Sequence, residues 1–345
     1  MDVLSPELLW VDNRCYRVNS TLYSEENPPS RKQGGYIEAD LESEDEETMD
    51  YEIESTGTDT FRTTFHVPAA FHGSIIGQKG AVRKRLEMET KSLINVPERG
   101  SKAPIVVTGR KEGDVIAARK KIEDIVASSR RRNDITHFLS IPCNSEEIKT
   151  AFGRFKEALF SGPPIEGLTE DMMQVPEKLH LTLTTMVLMD DQERKLAKNI
   201  LHDEEDNIKA ILAEFGGKAE VQIEGLDSMT DDPQATKVLY AKVQSEALQR
   251  IADHFECVYG KLRLGKEQKR SSVKLHMTVI SSRFADFEAE KAGNHKKTQP
   301  FNATKIFEDF KDFAFGKVPL TEVHLSQRGT YDDRGYYKAT SVLHL

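Results

Sequence analysis

From Phe61 onward, apolar residues recur with regular periods that predict a first domain of short strands and helices. Alternation of apolar and polar positions indicates strands, and a spacing of three or four indicates helices. The predicted elements are a strand at Phe61–Val67, helices at Ala69–Ile76 and Ala81–Thr90, strands at Ser92–Val96 and Ile105–Thr108, and a helix with the apolar stripe Val115, Ala118, Ile122, Ile125 and Val126. Asp114 is predicted to cap that last helix.

The apolar periodicity of residues 136–345 predicts a second domain, whose elements fall into two similar halves. The first half comprises a strand at Thr136–Ile141, a helix at Ser145–Phe160, a strand at Leu179–Met189 and a helix from about Asp191 to Phe215. The second comprises strands at Ala219–Met229 and Lys237–Gln244, a helix at Ala247–Val258 and a strand at Val273–Ile280, and strands near Leu320–Gln327 and Tyr336–Leu345 close the domain. An insertion at 283–317 carries a helix expected to pack in the core.

Ahead of both domains, the chain is polar and acidic. Residues 1–18 carry an apolar patch that includes Trp10, and this patch fits folding back on a domain and docking on a partner equally well. Residues 38–54 hold ten acidic side chains and no basic one, which predicts a disordered linker. We therefore expect an N-terminal segment at 1–56 and domains at 57–132 and 133–345.

Composition and charge narrow the class of protein. The chain has 345 residues, enough for about two domains. Its net charge of −9 conceals a basic segment, because residues 79–132 carry 15 Lys and Arg against 7 Asp and Glu; this segment suits a polyanionic partner. No apolar run approaches the ~18 residues that span a bilayer, so we expect no membrane contact. Three distant cysteines, Cys15, Cys143 and Cys257, fit a reducing intracellular compartment.

A glycine-bounded loop, Gly77-Gln78-Lys79-Gly80, lies between two predicted helices of the basic segment. The glycines let the backbone approach a phosphate, and the following helix N-terminus favours an anion. The element order and the phrase from Ile75 to Gly80 resemble the KH domain of eukaryotic topology, which implies binding of about four nucleotides of single-stranded RNA, with single-stranded DNA as the alternative. The expected nucleic-acid-binding residues are Ile76, Gly77, Gln78, Lys79, Gly80, Lys84 and Arg85. Ile75, Ile76, Ile94 and Val96 are considered as an apolar floor for the bases, with ordinary core packing as the alternative for each. Arg83 and Lys91 depart from the family pattern.

The phrase Lys-Leu-His-x-Thr occurs twice, at 178–182 and at 274–278. Because side chains alternate along a strand, His180 and Thr182 share one face, and so do His276 and Thr278. By the same alternation, Lys178 and Lys274 are expected on the histidine faces. Two imidazoles that titrate near neutral pH can remove one proton and deliver another, while hydroxyls donate to phosphate oxygens. The repeat therefore predicts one shared cleft for phosphodiester chemistry.

The duplicated His-x-Thr resembles the two-histidine (2H) phosphoesterase superfamily over about residues 136–345. The resemblance implies an α+β chain in which the KH domain precedes a two-lobed, internally duplicated α/β domain. It also implies action on an RNA 2′/3′ phosphodiester, a 2′–5′ linkage or a 2′,3′-cyclic phosphate. We expect His180, Thr182, His276 and Thr278 to be catalytic, with no metal and no cofactor. Which histidine is the base stays open, and His324, in a third His-x-Ser pattern, is expected to be structural.

The combination of the two domains resembles a subunit of a helicase-containing complex that acts in transcription coactivation and in the repair of alkylated DNA. This resemblance implies a nuclear protein, with the cytoplasm as a further location, that has a large helicase subunit as its partner. The rival interpretation is a nucleic-acid-binding scaffold whose cleft binds nucleotide or phosphate without turnover. Both interpretations retain His180 and His276, so the sequence does not separate them.

Overall fold

The computed structural model describes residues 8–11, 14–17, 51–57, 59–98, 101, 103–265, 272–285 and 299–345. The chain divides into two units, Met1–Asp50 and Tyr51–Leu345. In the first unit, strands β1 (Leu8–Val11) and β2 (Arg14–Arg17) form an antiparallel pair. The side chains of the predicted apolar patch and the acidic run up to Asp50 lie outside the described residues.

The second unit begins with a small sheet packed against three helices. Its elements are β3 (Glu54–Ser55), β4 (Phe61–Phe65), α1 (Ala69–Ile76), α2 (Ala81–Thr90), β5 (Ser92–Asn95), β6 (Ile105–Gly109) and α3 (Glu112–Arg132). The strands are antiparallel in the order β3-β4-β6-β5. The predicted apolar stripe of α3 contributes three fully buried residues, Val115, Ala118 and Ile122, to the core beneath this sheet.

Two expectations for this domain are wrong in detail. Strand β3 pairs with β4, so the sheet begins before residue 57, inside the segment that we predicted as linker. Asp114 does not cap α3, because the helix begins at Glu112 with Lys111 at its N-cap position. Asp114 lies in the first turn instead, where the positive end of the helix dipole stabilises its carboxylate.

The remaining elements form one eight-stranded antiparallel sheet and its helices. They are β7 (His137–Pro142), α4 (Glu146–Ser161), β8 (His180–Met186), α5 (Asp191–Asp203), α6 (Glu205–Glu214), β9 (Glu220–Ser228), β10 (Val238–Gln244), α7 (Glu246–Lys261), β11 (His276–Ser281), α8 (Thr304–Phe310), β12 (Ala314–Pro319), β13 (Glu322–Tyr331) and β14 (Tyr337–His344). The strand order is β12-β9-β10-β11-β8-β7-β13-β14. The two halves therefore meet at β11 and β8, in the middle of the sheet.

The structure also corrects two predicted elements of this domain. The single long helix predicted from Asp191 is two helices, which are separated at Glu204, where the His254 ring lies 2.7 Å from the Glu204 carboxylate. The predicted insertion at 283–317 ends in β12, which pairs with β9 at the sheet edge. Its predicted helix is present as α8, and Ile306 is fully buried as expected.

Helices from each half cross to the other half and join the two on one face of the sheet. Helix α4 packs against β12, and α7 packs against β8. Each helix begins at a serine, Ser145 or Ser245, whose hydroxyl accepts a hydrogen bond from a main-chain N–H three residues on. The helix-covered face holds the apolar core of the domain. Within the described ranges, no helix is long and apolar enough to cross a membrane.

A buried ion pair joins the small domain to the large one. Arg130, at the end of α3, contacts both carboxylate oxygens of Glu193 on α5 and the main-chain oxygen of Val187. Arg130 is only 4% exposed and Glu193 only 5%. Glu193 also accepts from the Met189 N–H at 2.8 Å. Because both charged groups are buried and hydrogen-bonded to each other, the pair holds the two domains in one arrangement.

Replacing Arg130 with Met should lower the free energy of unfolding by about 3–5 kcal/mol, because it leaves the Glu193 carboxylate buried and uncompensated. Chemical denaturation measures this change. The matched control is Arg263→Ala, which breaks the exposed pair of Arg263 with Asp124 and should cost only about 0–1 kcal/mol. Equal losses in the two variants would contradict a dominant role for the buried pair.

Candidate active site and nucleic-acid interface

The two His-x-Thr motifs lie side by side on the central strands β8 and β11. These strands are antiparallel and Leu181 is directly opposite Met277. That register places Thr278 beside His180 and His276 beside Thr182, as a local two-fold axis would. Leu181 and Met277 are fully buried, so the four motif side chains lie together on the opposite face of the sheet. The structure thus brings together all four predicted catalytic residues.

Both imidazoles are held by the same local hydrogen bond. Nδ1 of His180 lies 2.7 Å from the main-chain oxygen of Lys178, and Nδ1 of His276 lies 2.7 Å from that of Lys274. A carbonyl only accepts, so Nδ1 is the donor in each ring. The neutral tautomer therefore carries its proton on Nδ1, and Nε2 of His180 is a basic nitrogen.

The walls around the two histidines differ. The His180 ring packs against Phe138 and Tyr337, each with its ring centre 5.1 Å away, and the centres of those two rings are 5.0 Å apart. His276 instead has the ring of Tyr240 5.2 Å away, and the Tyr240 hydroxyl donates to Asp227 at 2.6 Å. Motif spacing predicts none of these aromatic neighbours, which come from strands distant in the sequence.

Burial lowers the pKa of His180 to about 4, and the nearby His276 acts in the same direction. The hydrogen bond to the Lys178 carbonyl opposes this shift, since it favours the charged ring, but burial outweighs it. His180 is therefore neutral at pH 7. The effect of one ring on the other agrees with the strand register, which places the two imidazoles in one region of the sheet surface.

The lysines that precede the motifs do not follow the strand alternation that we expected. Lys178 lies in a single helical turn, Pro176–Lys178, and Lys274 precedes the start of β11. Their ammonium groups lie over aromatic rings, Lys178 3.8 Å from the centre of Tyr331 and Lys274 4.8 Å from that of Tyr240. The attraction between a cation and the face of an aromatic ring holds each ammonium group at the rim of the cleft.

His324 lies on the same face of the sheet but two strands away from His180. In β13 it is opposite Ser140 of β7, and its ring packs edge-on to Tyr336. Its Nε2 lies 3.0 Å from Glu322. Ser140 in turn contacts the hydroxyls of Ser326 and Tyr336, both at 3.0 Å. His324 thus lies half-buried beside a group of buried polar side chains next to the cleft, and its expected structural role stays a prediction.

The glycine loop of the small domain is a tight turn between α1 and α2. Lys79 and Gly80 have positive φ angles of 52° and 78°, and the Gly80 N–H donates to the Gly77 carbonyl at 3.2 Å. A Cβ at Gly77 would lie 2.4 Å from Val82, whereas at Gly80 it would meet nothing within 4 Å. A positive φ of 69° and close packing together explain Gly77, and the left-handed backbone explains Gly80.

The other predicted nucleic-acid-binding residues surround this turn. Gln78, Lys79, Lys84 and Arg85 extend towards solvent, and Ile76 is half-buried. Lys79 belongs to the turn itself, and Arg85 lies 3.7 Å from Glu89 on the same helix. Ile75, Ile94 and Val96, which we considered as an apolar floor, are buried in the domain core instead.

Lys91, one of the two departures from the KH pattern, directly follows α2 and has a φ of 51°. This is the left-handed conformation that glycine adopts without strain. A non-glycine residue can hold it only because the surrounding turn fixes the backbone. Within the ranges that the structure describes, no group of three or more His, Cys, Asp or Glu side chains is arranged to hold a metal ion.

Comparison with known proteins agrees with this geometry. Residues 135–345 match the AKAP7 2'5' RNA ligase-like domain, and residues 62–124 match the KH domain. The mouse activating signal cointegrator 1 complex subunit 1 is 33% identical over 98% of this chain and 98% of its own length. The chain belongs to the activating signal cointegrator 1 complex subunit 1 family. The predicted KH domain and 2H phosphoesterase-like domain are thereby confirmed.

Two solved structures resemble parts of this family member. The first KH type I domain of human vigilin is 25% identical and covers 31% of this chain and 96% of that domain, with a TM-score of 0.20. The protein TT0787 of Thermus thermophilus is 17% identical and covers 61% of this chain and 98% of its own, with a TM-score of 0.38.

Imidazole nitrogen resonances test the state of His180. At pH 7 the ring should be the neutral Nδ1–H tautomer, and it should titrate near pH 4 rather than near the ordinary value of about 6.5. Two-dimensional ¹H–¹⁵N spectra, assigned with His180→Asn, measure both properties. Since the unfolded chain binds this proton at higher pH, the folded state should lose stability as pH falls from about 6.5 towards 4. A ring already protonated at pH 6 would contradict the burial argument.

Proposed function

We propose that this protein is a single-stranded RNA-binding phosphodiesterase that acts without a metal on RNA 2′/3′ phosphodiester ends or 2′,3′-cyclic phosphates. The observation that carries the proposal is the pair of His-x-Thr motifs on adjacent central strands, each with the same 2.7 Å hydrogen bond from Nδ1 to a main-chain carbonyl. Acid–base catalysis needs two such groups on one phosphate, one able to accept a proton and the other to donate one.

In this proposal His180 is the base and His276 is the acid. His180 is neutral at pH 7 because burial lowers its pKa, so its Nε2 accepts the proton of the attacking water or hydroxyl. As the new P–O bond forms, the bond to the leaving oxygen breaks and His276 gives that oxygen a proton. Thr182 and Thr278 donate to the non-bridging oxygens, on which negative charge increases in the transition state.

Turnover of a nucleoside 2′,3′-cyclic phosphate in the presence of a chelator tests this assignment. His180→Asn and His276→Asn should each lower kcat/KM by at least about 10²-fold, because each removes one proton-transfer group. His344→Asn is the matched control, since His344 lies on the terminal strand and its side chain is 80% exposed, and it should leave the rate unchanged.

The pH dependence gives an independent readout of the same experiment. On the acid side, kcat/KM should fall as pH decreases through the pKa of His180, near pH 4, because protonation removes the base. Tight strand binding without product from cyclic phosphates, 2′–5′ oligomers or RNA ends would contradict the enzyme and favour the scaffold interpretation.

The KH domain is proposed to bind the strand that the cleft acts on. In its loop, Lys79 and Gly80 have left-handed backbones, the Lys79 side chain is exposed, and α2 begins directly after Gly80. An exposed cation and a helix N-terminus both favour phosphate. The ion pair of Arg130 with Glu193 anchors this domain beyond the end of β8, and β8 runs about 20 Å from His180 to Met186. A strand that reaches both sites therefore has to extend beyond the KH loop.

We further propose that the protein is a nuclear subunit of the activating signal cointegrator complex, with the large helicase subunit as its partner. The support is the mouse relative, activating signal cointegrator 1 complex subunit 1, which matches along nearly the whole chain. Tagged protein should co-purify with the helicase from nuclear extract in a nuclease-resistant manner. A purely cytoplasmic distribution, or loss of the helicase on nuclease treatment, would contradict a direct nuclear association.

A further inference from the structure

The main chain just before the second histidine motif is held by two side chains of α7. Gln249 and Asp253 are four residues apart, so both lie on one face of this helix. The Gln249 amide nitrogen donates to the Val273 carbonyl at 2.9 Å, and the Val273 N–H donates to Oδ1 of Asp253 at 2.7 Å. Both main-chain polar groups of Val273 are therefore bonded to α7. We call this arrangement of Gln249, Asp253 and Val273 the Val273 clamp.

The Val273 clamp fixes the hydrogen-bond acceptor of a predicted catalytic histidine. Val273 is buried, and the next residue is Lys274, whose carbonyl lies 2.7 Å from Nδ1 of His276. That hydrogen bond sets which ring nitrogen carries the proton and how the ring is oriented. A displacement of Val273 therefore moves the Lys274 carbonyl and releases the His276 ring.

Ser272 extends the clamp to the protein surface. Its hydroxyl donates to Oδ2 of Asp253 at 3.1 Å and accepts from Nε2 of Gln249 at 2.8 Å, and the residue is exposed. The donors that contact Asp253 are neutral groups of Gln249, Ser272 and Val273. Within the ranges that the structure describes, Asp253 forms no ion pair with a lysine, arginine or histidine. A second anion placed on Ser272 would thus meet a carboxylate that no cation offsets.

The sequence before Ser272 suits a protein kinase that prefers basic residues. Lys269 and Arg270 lie three and two positions before Ser272 in the chain. A kinase with acidic side chains in its peptide-binding groove selects such a pair by charge complementarity. The neighbouring Ser271 has Gln268 at its third preceding position, so the basic pair favours Ser272 over Ser271.

Resting on the phosphodiesterase function proposed above, we propose that phosphorylation of Ser272 opens the Val273 clamp and lowers the activity of the cleft. The Ser272 oxygen attacks the γ-phosphorus of the ATP that the kinase supplies, and a new O–P bond forms. The bond from that phosphorus to the β–γ bridging oxygen breaks, ADP leaves, and the hydroxyl proton passes to the kinase.

The phosphate on Ser272 disrupts the clamp in two ways. It removes the proton that the hydroxyl donated to Asp253, and it brings a charge of about −1.5 to −2 against the carboxylate. Like-charge repulsion then separates Ser272 from Asp253 and pulls the adjoining Val273 away from α7. The Lys274 carbonyl moves with Val273, so His276 loses the hydrogen bond that orients it for proton transfer. Asp253 is in this way a positioning residue for His276.

Treatment of the full chain with ATP and the catalytic subunit of cyclic-AMP-dependent protein kinase tests the inference. Mass spectrometry should place the phosphate on Ser272. The kcat/KM for a nucleoside 2′,3′-cyclic phosphate should then fall by about 10- to 100-fold, as expected when a catalytic group is displaced by about 1 Å, and a phosphatase should restore it. Ser271→Ala is the matched control and should respond like the unchanged protein, whereas Ser272→Ala should show no kinase-dependent change.

Asp253→Asn tests the repulsion itself. The amide oxygen of the variant still accepts from the Val273 N–H, and its NH₂ donates to the phosphate on Ser272. Kinase treatment should therefore lower kcat/KM far less in this variant than in the unchanged protein. An equal kinase-dependent loss in the two proteins would overturn the inference, because the carboxylate charge would then have no part in the effect.

The ring nitrogen resonances of His276 separate this inference from the proposed function. In the unmodified protein Nδ1 should carry the proton, and phosphorylation of Ser272 should convert the ring to a mixture of tautomers, whether or not substrate turns over. No turnover by the unmodified protein would contradict the proposed function, and the His276 signal would still decide whether the clamp opens. Phosphate on Ser271 alone or on neither serine, or an unchanged rate or His276 signal after modification of Ser272, would overturn the inference.

Discussion

The pairing of β8 with β11 at Leu181 and Met277 is the constraint on which the 2H phosphoesterase-like domain depends. Both side chains are fully buried, so their face of the sheet is set by the core. A slip of either strand by one residue would expose its buried residue and would move its histidine into the apolar interior. The packing of the core therefore holds the register, and the register holds the four polar side chains on one surface.

Much of this arrangement follows from local patterns in the sequence. The KH elements were predictable because apolar spacing in each segment reflects its own helix or strand. Alternation alone placed His180 with Thr182 and His276 with Thr278. It failed at Lys178 and Lys274 because the chain leaves the strand conformation just before each histidine. Periodicity has no information on residues that lie outside the periodic element.

The parts that escaped prediction depend on contacts between distant segments. Strand β12 pairs with β9, about 90 residues earlier, and a short strand near a polar insertion carries no sign of that partner. At the break between α5 and α6, Glu204 contacts His254 of α7. Phe138 and Tyr337, which pack against His180, come from β7 and β14. In each case the deciding interaction is tertiary.

The unequal walls around the two histidines have a consequence for how such a cleft evolves. Two copies of one motif in a symmetric homodimer would be chemically identical, and neither could be preferred as donor or acceptor. Fusion of both copies into one chain removes that degeneracy. Phe138 and Tyr337 pack against one ring, while Tyr240, bonded to Asp227, packs against the other. Because the two sides of the cleft differ, a bound phosphodiester has one defined orientation between the two histidines.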